Sequence, residues 1–182
     1  MTDPSPSSLP ADDLRRQLAL ARPLIADDGL AHVAVVGDTY TILLAGNDTA
    51  GRFTLIDMLV RPGGGPPPHR HDFEETFTML EGEIEVTFRG QSSLLRAGET
   101  ANVPANAPHF FRNVSDRDAR MLCICSPAGQ EEFFLAVGDR VTSRTSPPPA
   151  LDEDEQRKRL VKAIELAPRY RTELLIPTDT PA

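Results

Sequence analysis

The sequence contains no tryptophan, two cysteines and four histidines among 182 residues. It also lacks any apolar run long enough to span a bilayer, and its polar, acidic beginning does not resemble a signal peptide. Lysine and arginine total 19 against 27 aspartate and glutamate residues, a net charge of -8. This deficit of positive charge argues against nucleic acid or an anionic membrane as the partner. Together these absences predict a cytoplasmic protein with no nucleic-acid or membrane partner.

The two cysteines lie two residues apart in the segment MLCICS, which is typical of a strand. Cys123 and Cys125 would then share a face with parallel side chains, a poor geometry for a disulfide. We interpret them as reduced, small apolar residues, which agrees with a reducing compartment.

The middle of the chain, residues 29–126, is built from short β-branched or aromatic runs separated by turn residues. In EIEVTFR the pattern alternates, with Ile84, Val86 and Phe88 on one face and polar residues on the other. Many short strands with little helix between them indicate an all-β fold, an antiparallel sandwich or barrel. The runs are HVAVV, TYTILLAG, RFTLIDMLV, TFTML, EIEVTF, SSLLRAG and RMLCICS.

Helical segments are predicted on both sides of this region. Residues 1–28 comprise a polar tail and a predicted N-terminal helix over residues 10–22. Residues 127–182 form a helical C-terminal extension, with a short helix in PAGQEEFFLAVG and a stiff proline-rich linker at residues 142–150. Phe133 and Phe134 are expected to pack the short helix against the barrel.

The clearest helix covers about Asp152 to Leu166. Asp152 is the predicted N-cap, and Glu155 completes a capping box three residues later. A single apolar stripe predicts that this helix packs on its own barrel or on a partner subunit. The residues of that contact are predicted to be Leu160, Ala163 and Ile164.

Three of the four histidines fall in two unusual places. His69 and His71 follow the loop PGGGPPP, and on a strand they share a face with Glu75. His109 follows a second proline-bearing turn. Three imidazoles and a carboxylate suit a divalent transition metal, whereas a lone histidine near a turn is usually a surface residue. His32 has no ligand-type neighbour in the sequence, and we interpret it as structural or surface.

These residues also resemble the two motifs of the cupin superfamily, with every spacing met. Asn106 replaces a glycine of the second motif, and asparagine is the residue that best tolerates the left-handed backbone expected there. The resemblance implies a cupin double-stranded β-helix, or jelly-roll barrel, whose mouth holds a metal on His69, His71, Glu75 and His109. The first motif is Gly63, His69, His71, Glu75 and Gly82, and the second is Gly98, Pro104, Asn106, His109 and Asn113.

A narrower resemblance is to bacterial quercetin-dioxygenase-like monocupins, carried by PPPHRHDFEETFTMLEGE, SPAGQEEFF, the proline linker and the C-terminal helix. It implies a metal-dependent dioxygenase that takes a flavonol-like or other enolic aromatic small molecule and O₂. The metal would be nickel, cobalt, manganese, iron or copper, and zinc also fits the ligand types. Glu75 would act as ligand and as catalytic base for the substrate hydroxyl, and the protein would form a homodimer.

Strand parity with the ligands nominates four apolar residues as walls of a substrate pocket: Phe73, Phe77, Met79 and Phe111. Each can instead belong to the core, an interpretation we favour for Phe77 and Met79. Two other functions stay open, because a cupin fold alone does not name a reaction. One is another metal-dependent enzyme, namely an isomerase, lyase or decarboxylase, and the other is a non-catalytic small-molecule binder.

Overall fold

The computed structural model describes residues 13, 15–23 and 29–176, and within them twelve strands form two antiparallel sheets. The seven-stranded sheet has the order β11-β1-β2-β3-β10-β5-β8, and the five-stranded sheet has the order β12-β4-β9-β6-β7. The strands are β1 Ala31–Val35, β2 Asp38–Leu44, β3 Thr54–Val60, β4 His69–His71, β5 Glu74–Glu81, β6 Glu83–Phe88, β7 Gln91–Arg96, β8 Thr100–Val103, β9 His109–Arg112, β10 Ala119–Ser126, β11 Asp139–Val141 and β12 Thr172–Leu174.

One buried core lies between the two sheets. It takes alternate residues from each long strand, such as Met121, Cys123 and Cys125 from β10 and Ile84 and Val86 from β6. This alternation is the one that the sequence of β6 predicts. The predicted all-β jelly-roll architecture is therefore confirmed.

Five strands were not among the predicted runs. They are three or four residues long and mostly polar, so no hydrophobic period distinguishes them in the sequence. These strands form because a neighbouring strand supplies their hydrogen bonds. For example, β11 pairs with β1, and β12 pairs with β4. The missed strands are β4, β8, β9, β11 and β12.

The predicted N-terminal helix is wrong for the part of it that is described. Residues 15–22 contain only a turn and irregular backbone, while residues 10–12 and 14 lie outside the described residues. Leu18 and Leu20 are 83% and 64% exposed, so in the described part of the chain these two side chains are not packed against the barrel. A helix of this length is marginal without such a contact.

A short helix follows the barrel as predicted. This helix is α2, and it covers Gln130–Val137. A one-turn helix, α1, covers Gly46–Thr49 between β2 and β3. Phe133 and Phe134 of α2 are both buried in the core, and the Phe134 ring meets Tyr40 edge-on at 5.0 Å between centroids. The prediction that these two residues pack α2 on the barrel is confirmed.

The C-terminal helix α3 covers Glu153–Leu166 and begins with the predicted capping box. The Glu155 backbone N–H donates to Asp152 Oδ1 at 2.8 Å, and the Asp152 N–H donates to Glu155 Oε2 at 3.2 Å. The helix ends in a 3₁₀ turn at Ala167–Tyr170. No helix among the described residues is long and apolar enough to cross a membrane.

Helix α3 docks on its own chain, but through a different stripe from the predicted one. Ala163 packs against the core as expected, whereas Leu160 and Ile164 are 41% and 44% exposed. Arg159 lies on the inward side of the helix, where its Nε donates to Asp139 Oδ2 of β11 at 2.7 Å. The inward face therefore continues through Leu166 rather than through Ile164.

The glycine- and proline-rich loop that leads to β4 is pressed against the end of β9. The Gly63 N–H donates to Asn113 O at 2.8 Å, and the Asn113 N–H donates back to Gly64 O at 3.0 Å. Gly65 has φ +131°, and a Cβ there would lie 2.1 Å from Phe111 O. Only glycine allows this approach. The loop thus has a fixed path into the histidine-bearing strand.

Asp38 anchors the same loop from the opposite sheet. It is fully buried, and its Oδ1 accepts the Arg61 backbone N–H at 2.9 Å, while its Oδ2 has no hydrogen-bond partner among the described residues. Burial raises the pKa of Asp38 to about 7, although backbone N–H groups of the loop oppose the rise. The folded state therefore holds the proton more tightly than the unfolded chain does, and this contribution to stability is lost as pH rises from about 4 to about 7.

We expect Asp38→Asn to remove that pH dependence. Asparagine keeps the oxygen acceptor and cannot ionise, so the variant should match the parent near pH 4 and exceed it at pH 8. Three pH units of linkage set an upper limit of about 4 kcal/mol, or several degrees in Tm. Thermal unfolding at both pH values measures the gain. Asp116→Asn, whose side chain is 95% exposed, is the control, and equal pH profiles for parent and Asp38→Asn would contradict the prediction.

Candidate metal centre

The four predicted ligand residues come together between the two sheets. Strand β4 carries His69 and His71, β9 carries His109, and β5 of the facing sheet carries Glu75. One ligand atom from each residue lies within 4.8 Å of all the others, and all four residues are buried. Glu75 therefore reaches the histidines from the facing sheet, beyond the bend at residues 72–73, and not along one extended strand as the parity argument assumed.

A sharp turn fastens the histidine strand to the second motif. The Asn106 N–H donates to His71 O at 2.6 Å, and Asn106 has φ +66°, the left-handed backbone expected where asparagine replaces glycine. Across the bend between β4 and β5, the rings of His71 and Phe73 stack at 3.8 Å between centroids. Backbone and ring contacts together limit the movement of His71.

Each imidazole has a backbone carbonyl on one side. His69 Nδ1 bonds to Pro67 O, His71 Nδ1 to Phe73 O and His109 Nδ1 to Ala107 O, all at 2.9 Å. A carbonyl oxygen only accepts, so each Nδ1 carries the proton. The Nε2 atoms are left as ligands, and the carbonyls hold the rings in orientation, an arrangement typical of metal-binding histidines.

The two oxygens of Glu75 have different surroundings. Oε2 lies 3.1 Å from His71 Nε2 and 3.0 Å from His109 Nε2. Oε1 points away from the imidazoles and accepts from the thiols of β10, 3.3 Å from Cys123 Sγ and 3.8 Å from Cys125 Sγ. Only one carboxylate oxygen is therefore directed at the centre of the cluster.

Two of the ligand residues, Glu75 and His69, already have the protonation states that a metal requires. Burial alone would raise the pKa of Glu75, but hydrogen bonds from His109 and His71 outweigh it and hold that pKa well below its usual range. Burial, with the nearby His109, lowers the pKa of His69 to about 4. At neutral pH the cluster thus presents an ionised carboxylate and an uncharged His69 with a free lone pair. His109 differs, because burial would lower its pKa but its hydrogen bond to Glu75 outweighs burial and raises that pKa, so a metal would replace the proton on its Nε2.

The spacing of these atoms fits an octahedral ion. With bonds of about 2.1 Å, neighbouring ligands are separated by about 3.0 Å and opposite ligands by about 4.2 Å. The separations of 3.0 and 3.1 Å from Glu75 Oε2 match neighbouring positions. Four protein ligands would leave about two positions for water or substrate.

The four residues nominated as pocket walls are all buried, but they are placed differently. Phe73 lies against a ligand ring. Phe77 and Phe111 meet edge-on at 5.4 Å within the core, and Met79 is paired with Met121 across β5 and β10. These positions suit the core interpretation favoured for Phe77 and Met79. A role of any of the four in binding substrate stays a prediction.

The sequence interpretation missed the position of the two cysteines. Both are free and buried, as predicted, but they face the carboxylate of Glu75, and their sulfurs lie 3.6 Å apart. Burial raises the pKa of both thiols. The alternation of β10 places both cysteines on its inward face, and this pattern in the sequence could have indicated that they face the cluster. His32 is structural, as interpreted: it is buried on β1, with Nδ1 2.8 Å from Thr41 Oγ1.

Two antiparallel sheets closed over a His₃–Glu cluster define a jelly-roll protein with a candidate metal centre. Comparisons with known proteins agree: residues 56–125 match the family model described as Cupin domain. The crystal structure of an RmlC-like cupin from Shewanella frigidimarina superposes with a TM-score of 0.53 at 16% identity, covering 65% of this chain and 99% of that one. Residues 56–125 are therefore a cupin domain, and the fold around them is the cupin jelly roll.

Two curated relatives carry more specific names. A quercetin 2,3-dioxygenase from Bacillus subtilis is 28% identical over 128 residues, 70% of this chain and 37% of the relative. The polyketide synthase CurC from Streptomyces cyaneus is 37% identical over 94 residues, 50% of this chain and 60% of the relative. The chain thus spans less than two thirds of the length of either relative.

Proposed function

We propose that this protein is a metal-dependent dioxygenase that acts on a flavonol-like or other enolic aromatic small molecule. The observation that carries the proposal is the buried His₃–Glu cluster, in which one carboxylate oxygen and three imidazole nitrogens converge. The similarity to a quercetin 2,3-dioxygenase over 70% of the chain supports the choice of substrate class.

The residues have separable roles in this proposal. His69, His71, Glu75 and His109 would hold nickel, iron, manganese, cobalt, copper or zinc. When bound, the ion would supply Lewis acidity toward the substrate oxygen and, for each of these metals except zinc, a route for electrons to O₂. Glu75 would take the proton of the enolic hydroxyl on Oε2, the oxygen that faces the cluster. The Nε2 atoms of His71 and His109, both within 3.1 Å of that atom, would share the ion with it and so fix its direction.

A flavonol assay under air tests the proposal. We expect protein loaded with one of these metals to consume quercetin and O₂ in equal amounts, followed by the loss of the flavonol's visible absorption and by an oxygen electrode. The matched substrate control is the flavone without the 3-hydroxyl, which has no enolic proton for Glu75 and should not react. A metal-loaded protein that leaves every flavonol of a panel unchanged would contradict the dioxygenase proposal.

The second candidate is another metal-dependent cupin reaction, by an isomerase, lyase or decarboxylase, or binding of a small molecule without catalysis. The similarity to CurC, whose name is that of a polyketide synthase, favours a polyketide as the molecule concerned. Conversion of such a compound under nitrogen would separate this candidate from a dioxygenase, because the latter requires O₂. The homodimer and the identity of the metal stay predictions.

A further inference from the structure

A pair of thiols lies directly behind the carboxylate of the candidate metal centre. Cys125 is paired with Glu75 across β10 and β5, and Cys123 is the next inward-facing residue of β10. Both side chains are completely buried. The Cys123 sulfur is 3.3 Å from Glu75 Oε1, shorter than its 3.6 Å distance to the Cys125 sulfur.

The direction of this contact follows from the chemistry of the two groups. An ionised carboxylate only accepts hydrogen bonds, so the Cys123 thiol is the donor. The carboxylate is thus contacted on both sides, by the thiol at Oε1 and by the Nε2 atoms of His71 and His109 at Oε2. Rotation about the last side-chain bond of Glu75 would break contacts at both oxygens at once.

We propose that Cys123 is a positioning residue, which holds Glu75 so that only Oε2 reaches the metal. Binding through one oxygen leaves about two of six coordination positions open, whereas binding through both would leave about one. Cys123 would thereby set how many groups can bind beside the four protein ligands. The inference rests on metal binding at the proposed centre, but not on any particular reaction.

Titration with Co²⁺, a probe with visible absorption bands, tests the inference in the full-length protein. Loss of a partner of a metal ligand typically weakens metal binding by about 10–100-fold. We expect Cys123→Ala to raise the Kd for Co²⁺ about 10-fold and to shift the Co²⁺ spectrum. Cys123→Ser, which keeps a donor, should restore both toward the parent. Cys125→Ala, with its longer 3.8 Å contact, should have a smaller effect.

Two further variants separate positioning from packing. Cys123→Val fills the space without a donor and should behave like Cys123→Ala, while Met121→Leu alters the same strand away from Glu75 and should bind Co²⁺ like the parent. Equal Kd values and equal spectra for the parent, Cys123→Ala and Cys123→Val would overturn the positioning role of Cys123 and leave the metal centre unaffected. A sulfur-to-cobalt charge-transfer band that disappears in Cys123→Ala would overturn it by making the thiol a ligand. A parent that binds no Co²⁺ would overturn the metal centre as well.

Discussion

The His69→Ala/His71→Ala variant is expected to lose its metal and keep its barrel. The two substitutions remove two of the three nitrogens that converge on the cluster. Loss of an outer partner alone typically costs about 10–100-fold in metal affinity, so loss of two ligands should cost at least about 100-fold. Elemental analysis after brief exposure to a chelator should find metal in the parent and almost none in the variant.

The barrel should survive because its core does not depend on these two imidazoles. The carboxylate of Glu75 also keeps partners in His109 and in Cys123. Circular dichroism and the Tm of the variant should resemble those of the parent after metal removal. His32→Ala, which removes the one buried histidine placed outside the cluster, is the matched control and should retain its metal. Equal metal content in the double variant and the parent would end the assignment of the site.

Glu75→Gln is expected to keep part of the metal and to lose most of the turnover. Glutamine has the same size and retains one weak carbonyl ligand, but it cannot accept the substrate proton. A positioned base typically contributes about 10²–10⁴-fold in rate. The positive charge of a metal lowers the basicity of its own ligand, so the loss in kcat should fall near the lower end of that range.

The measurement is kcat per bound metal, with the flavonol and metal that serve the parent. Glu74→Gln is the control because Glu74 is the neighbouring residue of β5 on the opposite face, where it bonds Asn102 Nδ2 at 2.7 Å. This control should retain full turnover. If metal-loaded Glu75→Gln also retained full turnover, Glu75 would be a ligand only and the base would have to lie elsewhere.

Local chemistry made part of this structure predictable. The shared face of His69 and His71 depends only on the extended backbone of β4, and the left-handed Asn106 depends only on its own steric tolerance. The capping box of α3 is likewise set by residues three positions apart. In each case the conformation is determined by residues within one short segment, so the local sequence is sufficient to predict it.

The rest depended on contacts between distant segments. Helix α3 faces inward through Ala163 and Leu166 and bonds Asp139 through Arg159, contacts with other elements that its own helical period does not reveal. The thiol of Cys123 faces Glu75 because β10 is inserted between β3 and β5, an order that the chain sequence does not state. The N-terminal segment has residue types that favour a helix, but its leucines Leu18 and Leu20 are exposed, and a short helix is marginal without packing contacts.

Strand β12 makes the candidate metal centre a late product of synthesis. It pairs Thr172 with His71 and Leu174 with His69, so one side of the histidine-bearing strand is completed by residues that lie about a hundred positions further along the chain. At about 5–20 residues per second on the ribosome, that partner is made roughly 5–20 s after the histidines. During this interval β4 has an open edge toward β12. Metal supplied before β12 is made would therefore meet a histidine-bearing strand with one unpaired edge, and loading is expected to follow the pairing of β12 with β4.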